Sequence, residues 1–273
     1  MNAPRVAVLG AGALAGAMLS GWEKAGVKFG SLVTVNRTAA TAAALSGRGT
    51  ALSLETDPDA NRVAVRGADV VVIAVKPYMI DDLLPTIADA LEPGAVVITV
   101  AAGIRSERFR PVLPASVSVV RAMPNTPSAV GRGVVGLVTD PAVPAEAMST
   151  ARGLLEPLGE VVDVSADQLD GIVAISGSGP AYVFLLVEKL TAAAVAQGFD
   201  AETAALLARQ VFLGASELLA ASGEDPAELR RRVTSPNGTT ERAIAVFQAG
   251  GLDELFVAAT QACRDRAAEL GRD

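Results

Sequence analysis

The 273-residue chain contains no histidine and only one cysteine, Cys263. Without histidine, Ser-His-Asp and Cys-His nucleophilic sites, HExxH metalloprotease sites and two-histidine iron centres are excluded. One cysteine allows no intramolecular disulfide and no cysteine-rich zinc or iron–sulfur site, so we expect no metal centre. Any chemistry must therefore come from hydroxyls, carboxylates, the four lysines, backbone amides or a bound cofactor.

Basic residues are also outnumbered, with 23 Lys and Arg against 30 Asp and Glu, for a net charge of −7. Such a chain lacks the basic patch of nucleic-acid-binding proteins, and we expect no nucleic-acid partner. Hydrophobic residues make up 51% and charged residues 19%, which excludes intrinsic disorder. The composition indicates a cytoplasmic globular protein of one or two domains.

The first glycine-rich segment, RVAVLGAGALAGAM from Arg5, has three possible interpretations. It resembles a signal peptide, and Gly12 with Gly16 forms the GxxxG pattern of membrane helix pairs. The apolar run before Glu23 is short for a membrane span, and three glycines make a poor apolar region for a signal peptide. The third interpretation, a strand at 5–9 turning into a helix at 13–25, is favoured, and we expect no membrane association.

The following segments alternate between helical and strand character. Strands are predicted at 32–35, 69–75, 95–100 and 117–121. The run VVVIAV is uniformly apolar, as in strands that are buried on both faces of a parallel sheet. The sequence therefore predicts an α/β Rossmann-like N-terminal domain with a parallel sheet.

In this context the pattern Gly10-x-Gly12-x-x-Ala15 is typical of a dinucleotide-binding turn. The glycines allow close approach of a pyrophosphate, and the following helix offers free amides. An acidic residue at the end of the second strand would bind the 2′-hydroxyl of NAD, but this chain has Asn36-Arg37. Arg37 can pair with a 2′-phosphate, which favours NADPH, although a solvated loop arginine is the alternative.

From about Asp163 onward, only helices are predicted, at 180–197, 201–221, 226–233, 239–249 and 252–270. We place a dinucleotide-binding domain at 1–164 and an all-helical substrate-binding and dimerisation domain at 165–273. The helices are rich in Ala and Leu, which indicates burial against a partner subunit. A self-contained helical bundle is the alternative.

The missing histidine also discriminates among nicotinamide reactions. Reducing a carbonyl requires a proton donor at the developing alkoxide, commonly His, Lys or a Tyr-Lys pair. Neither Tyr78 nor Tyr182 is followed four residues later by a lysine. A protonated imine is already electrophilic and yields a neutral amine, so a hydroxyl hydrogen-bonded to nitrogen could suffice.

Six ordered segments carry a resemblance to a known family: VLGAGALAGAM, AVKP at 74–77, AAG at 101–103, RAMPNTP at 121–127, SGSGPAY at 176–182 and VTSPNGTT at 233–240. The chain resembles pyrroline-5-carboxylate reductase over essentially its whole length. The resemblance implies NAD(P)H-dependent reduction of 1-pyrroline-5-carboxylate to L-proline, the last step of proline biosynthesis. It also implies a homodimer and a possible decamer, a pentamer of dimers.

The resemblance implies cofactor contacts along the first domain. These residues are Gly10, Ala11, Gly12, Ala13, Leu14, Ala15, Asn36, Arg37, Asn61, Ala74, Val75, Lys76, Pro77, Ala101, Ala102 and Gly103. Lys76 ends a buried strand, and we expect its backbone to position the loop near the nicotinamide or ribose.

In the second domain, the resemblance implies a substrate loop over residues 235–240. Thr240 would contact the ring nitrogen and, with Ser235, form the catalytic pair; both would also bind substrate. The other implied substrate residues are Gly238, Thr239, Glu224, Ser176 and Pro180. Amides at this helix start suit the substrate carboxylate, although an ordinary capped turn is the alternative. Asn237 departs from the family, where glycine is more usual, but asparagine tolerates left-handed backbone.

Two other classes remain as alternatives. A β-hydroxyacid dehydrogenase shares the layout but needs a lysine soon after its interdomain glycines, whereas the first lysine after Gly179 is Lys189. A non-catalytic NADPH sensor would keep the turn without the Thr240 loop. The sequence leaves open the preference for NADPH over NADH and the assembly beyond a dimer.

Overall fold

A computed structural model describes residues 3–270. The chain divides into two compact units: the first runs up to Ser178 and resumes at Cys263, and the second is Gly179–Ala262. The predicted domains, 1–164 and 165–273, remain a prediction, and the last strand ends at Val164.

The first unit is built on one eight-stranded sheet. Its strands are β1 (Arg5–Leu9), β2 (Ser31–Asn36), β3 (Thr50–Ser53), β4 (Val70–Ile73), β5 (Val96–Thr99), β6 (Ser118–Met123), β7 (Gly133–Val138) and β8 (Gly159–Val164). Their order is β3-β2-β1-β4-β5-β6-β7-β8. All neighbours are parallel except β6 and β7, so the carboxyl ends of β1 to β6 share one edge.

Helices cover both faces of this sheet. They are α1 (Ala13–Lys24), α2 (Ala39–Ala43), α3 (Ala60–Val65), α4 (Ile80–Ile87), α5 (Ala145–Leu155) and α6 (Leu169–Ile172). Alternate β4 residues point to opposite cores: Val72 packs with α1 and α5, and Val71 packs with α3 and α4. The α1 side is fixed further by Trp22, whose Nε1 donates to the Leu154 carbonyl at 2.6 Å.

The predicted α/β class and all five predicted strands are confirmed, but three strands were missed. β3 is short, β7 contains two glycines, and β8 carries charged residues on an exposed edge. Each feature weakens the apolar β-branched pattern by which strands are predicted. The antiparallel β6–β7 pair, which interrupts the parallel order, was also not predicted.

The second unit is helical, as predicted. It contains α7 (Gly179–Ala196), α8 (Ala201–Ser222), α9 (Pro226–Arg232), α10 (Thr239–Ala249) and the first part of α11 (Leu252–Leu270). The predicted bounds of α10 and α11 are reproduced, and Pro226 occupies the first turn of α9. Asp200 and Asp225 cap α8 and α9 by accepting backbone N–H bonds.

Many apolar side chains of this unit are exposed, including Phe184 at 67% and Val211 at 58%. By length and composition, Leu169–Ala196 and Ala201–Ser222 could each cross a membrane, and the bent pair α10–α11 could form a third span. Such surfaces in a folded chain require a cover of protein or lipid.

Candidate functional site

The glycine-rich turn after β1 is held in a conformation that only glycine fits. Gly10 has a φ of +83°, and a Cβ there would lie 2.7 Å from Val75 Cγ1 and 2.9 Å from the Val75 nitrogen. The N–H groups of Gly10 and Ala11 both donate to the Val35 carbonyl, at 2.9 and 3.2 Å. The turn is therefore fixed between the end of β2 and the loop after β4.

The start of α1 leaves backbone donors available. Its N-cap is Gly12, which offers no side chain to cap the helix. Gly16 donates to the Gly12 carbonyl at 2.7 Å, whereas within residues 3–270 the amides of Ala13, Leu14 and Ala15 have no acceptor. Together with the helix dipole, these amides form a site for an anion such as a pyrophosphate.

The end of β2 provides a second set of polar groups. Asn36 is 7% exposed, and its Nδ2 donates to the Ala11 carbonyl at 3.0 Å. Its Oδ1 is buried without a partner, which leaves an acceptor for a ligand group. Arg37 Nη2 lies 3.9 Å from Met79 Sδ, and Arg37 forms no ion pair within residues 3–270.

A cavity of about 630 Å³ opens at this edge of the sheet. It brings together eight of the predicted cofactor residues: Gly10, Gly12, Asn36, Arg37, Asn61, Ala74, Val75 and Lys76. The other eight predicted residues are not in its lining: Ala11, Ala13, Leu14, Ala15, Pro77, Ala101, Ala102 and Gly103.

The same lining includes residues that were not predicted. They are Val35, Thr38, Thr41, Leu54, Pro58, Met79, Asp82, Leu83 and Thr86. Four of them, Met79, Asp82, Leu83 and Thr86, lie on one side of α4 or at its start. Their spacing follows the 3.6-residue repeat of a helix, which in a sequence looks the same as the spacing of residues that pack into a core. Thr38 and Thr41 follow Arg37, so a search for further polar groups beside Arg37 would have found them.

The predicted loop Ala101–Gly103 follows β5, which lies parallel beside β4. It therefore starts from the same sheet edge as the loops after β1 and β4, although it does not line the cavity. Ala101 N–H approaches Thr99 Oγ1 at 3.4 Å, and Gly103 has a left-handed φ of 77°. This backbone is ordered by local contacts beside the cavity.

Ser176 lies in a π-helical turn, Val173–Gly177, of the first unit. Its Oγ donates to the Ile172 carbonyl at 3.1 Å, and its carbonyl accepts from Asn125 Nδ2 at 2.8 Å. Asn125 also accepts from the Val134 amide at 2.9 Å and is buried. Asn125 thus positions the π turn, a role that the RAMPNTP motif did not reveal. Pro180 lies at the start of α7, in the second unit.

Arg121, in the same motif, is a buried cation. It is 4% exposed, its Nε has no hydrogen-bond partner, and no carboxylate forms an ion pair with it in residues 3–270. Burial lowers the pKa of its guanidinium, since a low-dielectric surrounding disfavours the charged form.

The loop at 235–240 forms the start of α10. The Gly238 amide donates to the Ser235 carbonyl at 2.9 Å, and Asn237 is left-handed at φ 58°. Gly238 is the N-cap without a side-chain cap, and in residues 3–270 the amides of Thr239 and Thr240 have no acceptor. Like the start of α1, this loop offers free donors at the positive end of a helix.

Two carboxylates of the second unit are each held by a hydrogen bond. Glu241 Oε2 accepts the Asn237 amide at 2.8 Å, which stabilises the left-handed turn. Glu224, predicted to bind substrate, accepts a 2.9 Å bond from Arg232 Nη1. Within this unit, the Glu224 carboxylate is therefore engaged by a neighbouring cation.

Comparisons with known proteins agree with these features. Residues 166–270 match the family model "Pyrroline-5-carboxylate reductase dimerisation". Residues 5–103 match "NADP oxidoreductase coenzyme F420-dependent". A pyrroline-5-carboxylate reductase of Pseudomonas aeruginosa is 39% identical over 271 residues, covering 99% of this chain and 98% of that protein. The chain belongs to the pyrroline-5-carboxylate reductase family.

Other relatives of this reductase extend the comparison. The reductase of Corynebacterium melassecola is 37% identical over 98% of both chains. A solved reductase structure from Coxiella burnetii has a TM-score of 0.84 and 36% identity, covering 98% of this chain and 99% of that one. A Plasmodium falciparum structure described as having NADP bound has a TM-score of 0.86 at 23% identity, which shows the shared fold. The predicted family is confirmed, and the β-hydroxyacid dehydrogenase alternative is not favoured.

Proposed function

We propose that this reductase converts 1-pyrroline-5-carboxylate to L-proline by NADPH-dependent reduction of the cyclic imine. The observation that carries the proposal is the α10 start, where Gly238 caps without a side chain and the amides of Thr239 and Thr240 have no acceptor in residues 3–270. A carboxylate fits such a helix start. Membership of the reductase family and a dinucleotide-type cavity on the same chain support the rest of the reaction.

The cavity fits a phosphorylated dinucleotide in three respects. The free amides at α1, which follow the cavity-lining Gly12, suit the pyrophosphate, and Gly10 lets the turn pack directly against Val75 because it has no Cβ. The unpartnered Asn36 Oδ1 suits an adenosine hydroxyl or amine. Arg37, a cation without an ion pair in residues 3–270, suits the 2′-phosphate of NADPH. When bound, NADPH supplies a hydride.

The reductase's own residues have positioning and electrostatic roles in this proposal. The amides of Thr239 and Thr240, with Ser235, hold the substrate carboxylate, whereas the amide of Gly238, also predicted to bind substrate, is already bonded to the Ser235 carbonyl. The Thr240 hydroxyl holds the ring nitrogen, which orients the imine carbon for hydride attack. The ring nitrogen enters protonated, so addition of hydride produces a neutral amine and no alkoxide requires a proton. A histidine is therefore unnecessary.

We further propose that a second copy of the chain covers the exposed apolar side chains of α7 and α8. The match of this region to a dimerisation model supports that choice over lipid. The proposal includes a cytoplasmic homodimer, with a decamer of five dimers as the larger predicted assembly, and no nucleic-acid partner.

The proposal is tested by replacing Thr240 with Ala. Loss of one catalytic hydrogen-bond donor is expected to lower kcat about 10- to 1000-fold, measured as NADPH consumption with pyrroline-5-carboxylate. Thr150→Ala removes a hydroxyl bonded only within α5 and should leave kcat unchanged. Wild-type turnover by Thr240→Ala would remove Thr240 from the mechanism. A wild-type enzyme that reduces a hydroxyacid's keto partner or a semialdehyde but not the imine would refute the reaction.

A further inference from the structure

Glu55 is held against the segment that follows β2. Its backbone N–H donates to the Arg37 carbonyl at 3.1 Å. Its side-chain Oε2 accepts the Ala39 amide at 2.7 Å. Both bonds fix an acidic side chain beside the three residues Arg37 to Ala39, of which Arg37 and Thr38 line the cofactor cavity.

Two opposite charges thus act on the same part of the cavity. Arg37 lines the cavity, and the Glu55 carboxylate is bonded to the backbone two residues beyond it. The two side chains do not neutralise each other, because no ion pair joins them. A doubly charged 2′-phosphate approaching Arg37 is attracted by the guanidinium and repelled by the carboxylate.

We propose that Glu55 is a cofactor-specificity residue, whose carboxylate weakens binding of the 2′-phosphate and so narrows the preference for NADPH over NADH. The inference rests on the proposed assignment of Arg37 to that phosphate. Because Glu55 is exposed, solvent and salt screen the repulsion, and the effect is a modest one. A ligand without the 2′-phosphate should not sense it.

The test is calorimetric titration of the full-length enzyme with adenosine 2′,5′-bisphosphate and with 5′-AMP, which differ only in the 2′-phosphate. Glu55→Gln keeps an oxygen acceptor for the Ala39 amide and removes the charge. We expect it to tighten bisphosphate binding about two- to fivefold at low salt, with AMP unchanged and the gain reduced in 0.5 M KCl. Unchanged or weaker bisphosphate binding by Glu55→Gln would overturn the proposal.

Glu92 offers a matched control, since its carboxylate also accepts a backbone amide, that of Gly67 at 3.0 Å, but Gly67 precedes β4, at the edge of the sheet opposite the cavity. An equal gain in Glu92→Gln would show a net-charge effect and overturn the inference. Arg37→Ala should abolish the preference for the bisphosphate over AMP. If it does so while Glu55→Gln has no effect, only the role of Glu55 fails. If the wild type binds neither nucleotide, the proposed cofactor cavity fails, and this inference fails with it.

Discussion

Substitutions at three glycines of the first turn and of α1 should affect folding stability and cofactor binding differently. Gly12 lines the cavity, and a Cβ there would meet only the Gly10 carbonyl oxygen, at 3.9 Å. Its φ of −81° is accessible to alanine. Gly12→Ala should therefore change the free energy of unfolding by less than about 0.5 kcal/mol. NADPH affinity should fall at least about tenfold, or about 1.4 kcal/mol, because the methyl group occupies space that the pyrophosphate needs.

Gly10 and Gly16 provide the contrasting variants. Gly10→Ala combines a left-handed backbone, costing about 1–2 kcal/mol, with overlap at Val75, costing about 1–3 kcal/mol, so it should destabilise the fold by about 2–5 kcal/mol. A methyl group added at Gly16, within α1, would meet no atom within 4 Å, and Gly16→Ala should stabilise by about 0.5–1 kcal/mol. Urea unfolding gives the stabilities and calorimetry the NADPH affinities. Normal NADPH binding by Gly12→Ala would refute the placement of the pyrophosphate at this turn.

Other predictions concern the substrate loop, pH and assembly. Glu241→Ala should raise the KM for the imine about three- to tenfold, because the Asn237 turn loses the bond that stabilises it. Glu241→Gln should restore this KM, and the KM for NADPH should stay constant in both variants. Equal effects on the two KM values would contradict the prediction. A hydrogen bond from Arg5 holds the pKa of Asp69 below its usual value, so its stabilisation is present at pH 7 and is lost as pH falls below about 4. Asp69→Asn should lower Tm at pH 7, and the difference from the wild type should shrink as the pH falls below about 4; a constant deficit would disprove the linkage. Phe184→Glu should shift light-scattering mass toward the monomer, and an unchanged mass would place the interface elsewhere.

The fold could be predicted where local pattern and packing agree. β4 is an unbroken apolar run that lies in the middle of a sheet, and α10 begins and ends at glycines. β7 and β8 failed the same criteria because their glycine and charged residues suit a sheet edge and its neighbour rather than a core strand. The antiparallel turn between β6 and β7 depends on tertiary pairing, which no local spacing reports.

The candidate site likewise contains some residues that the sequence could predict and others that it could not. Gly10 and Arg37, which line the cavity, could be predicted because their chemistry follows directly from a strand end. Glu55 and Asn125 were not, because their roles depend on contacts across 16 and 51 residues, with Ala39 and Ser176 respectively. An isolated glutamate or asparagine in a loop has no distinguishing sequence signal. Only the folded chain places Glu55 against Ala39 and Asn125 against Ser176.

The chain has no histidine, but two of its helices begin in a way that leaves backbone N–H groups available. α8 and α9 start from Asp200 and Asp225, whose carboxylates satisfy the first backbone amides. α1 and α10 start from Gly12 and Gly238, which cannot do so. A glycine N-cap costs a helix only about a few tenths of a kcal/mol relative to a good side-chain cap, and it leaves the first amides to water or to a ligand. The two glycine starts therefore leave backbone donors available for anions, and in the proposed function one receives a pyrophosphate and the other a carboxylate, in place of titratable side chains.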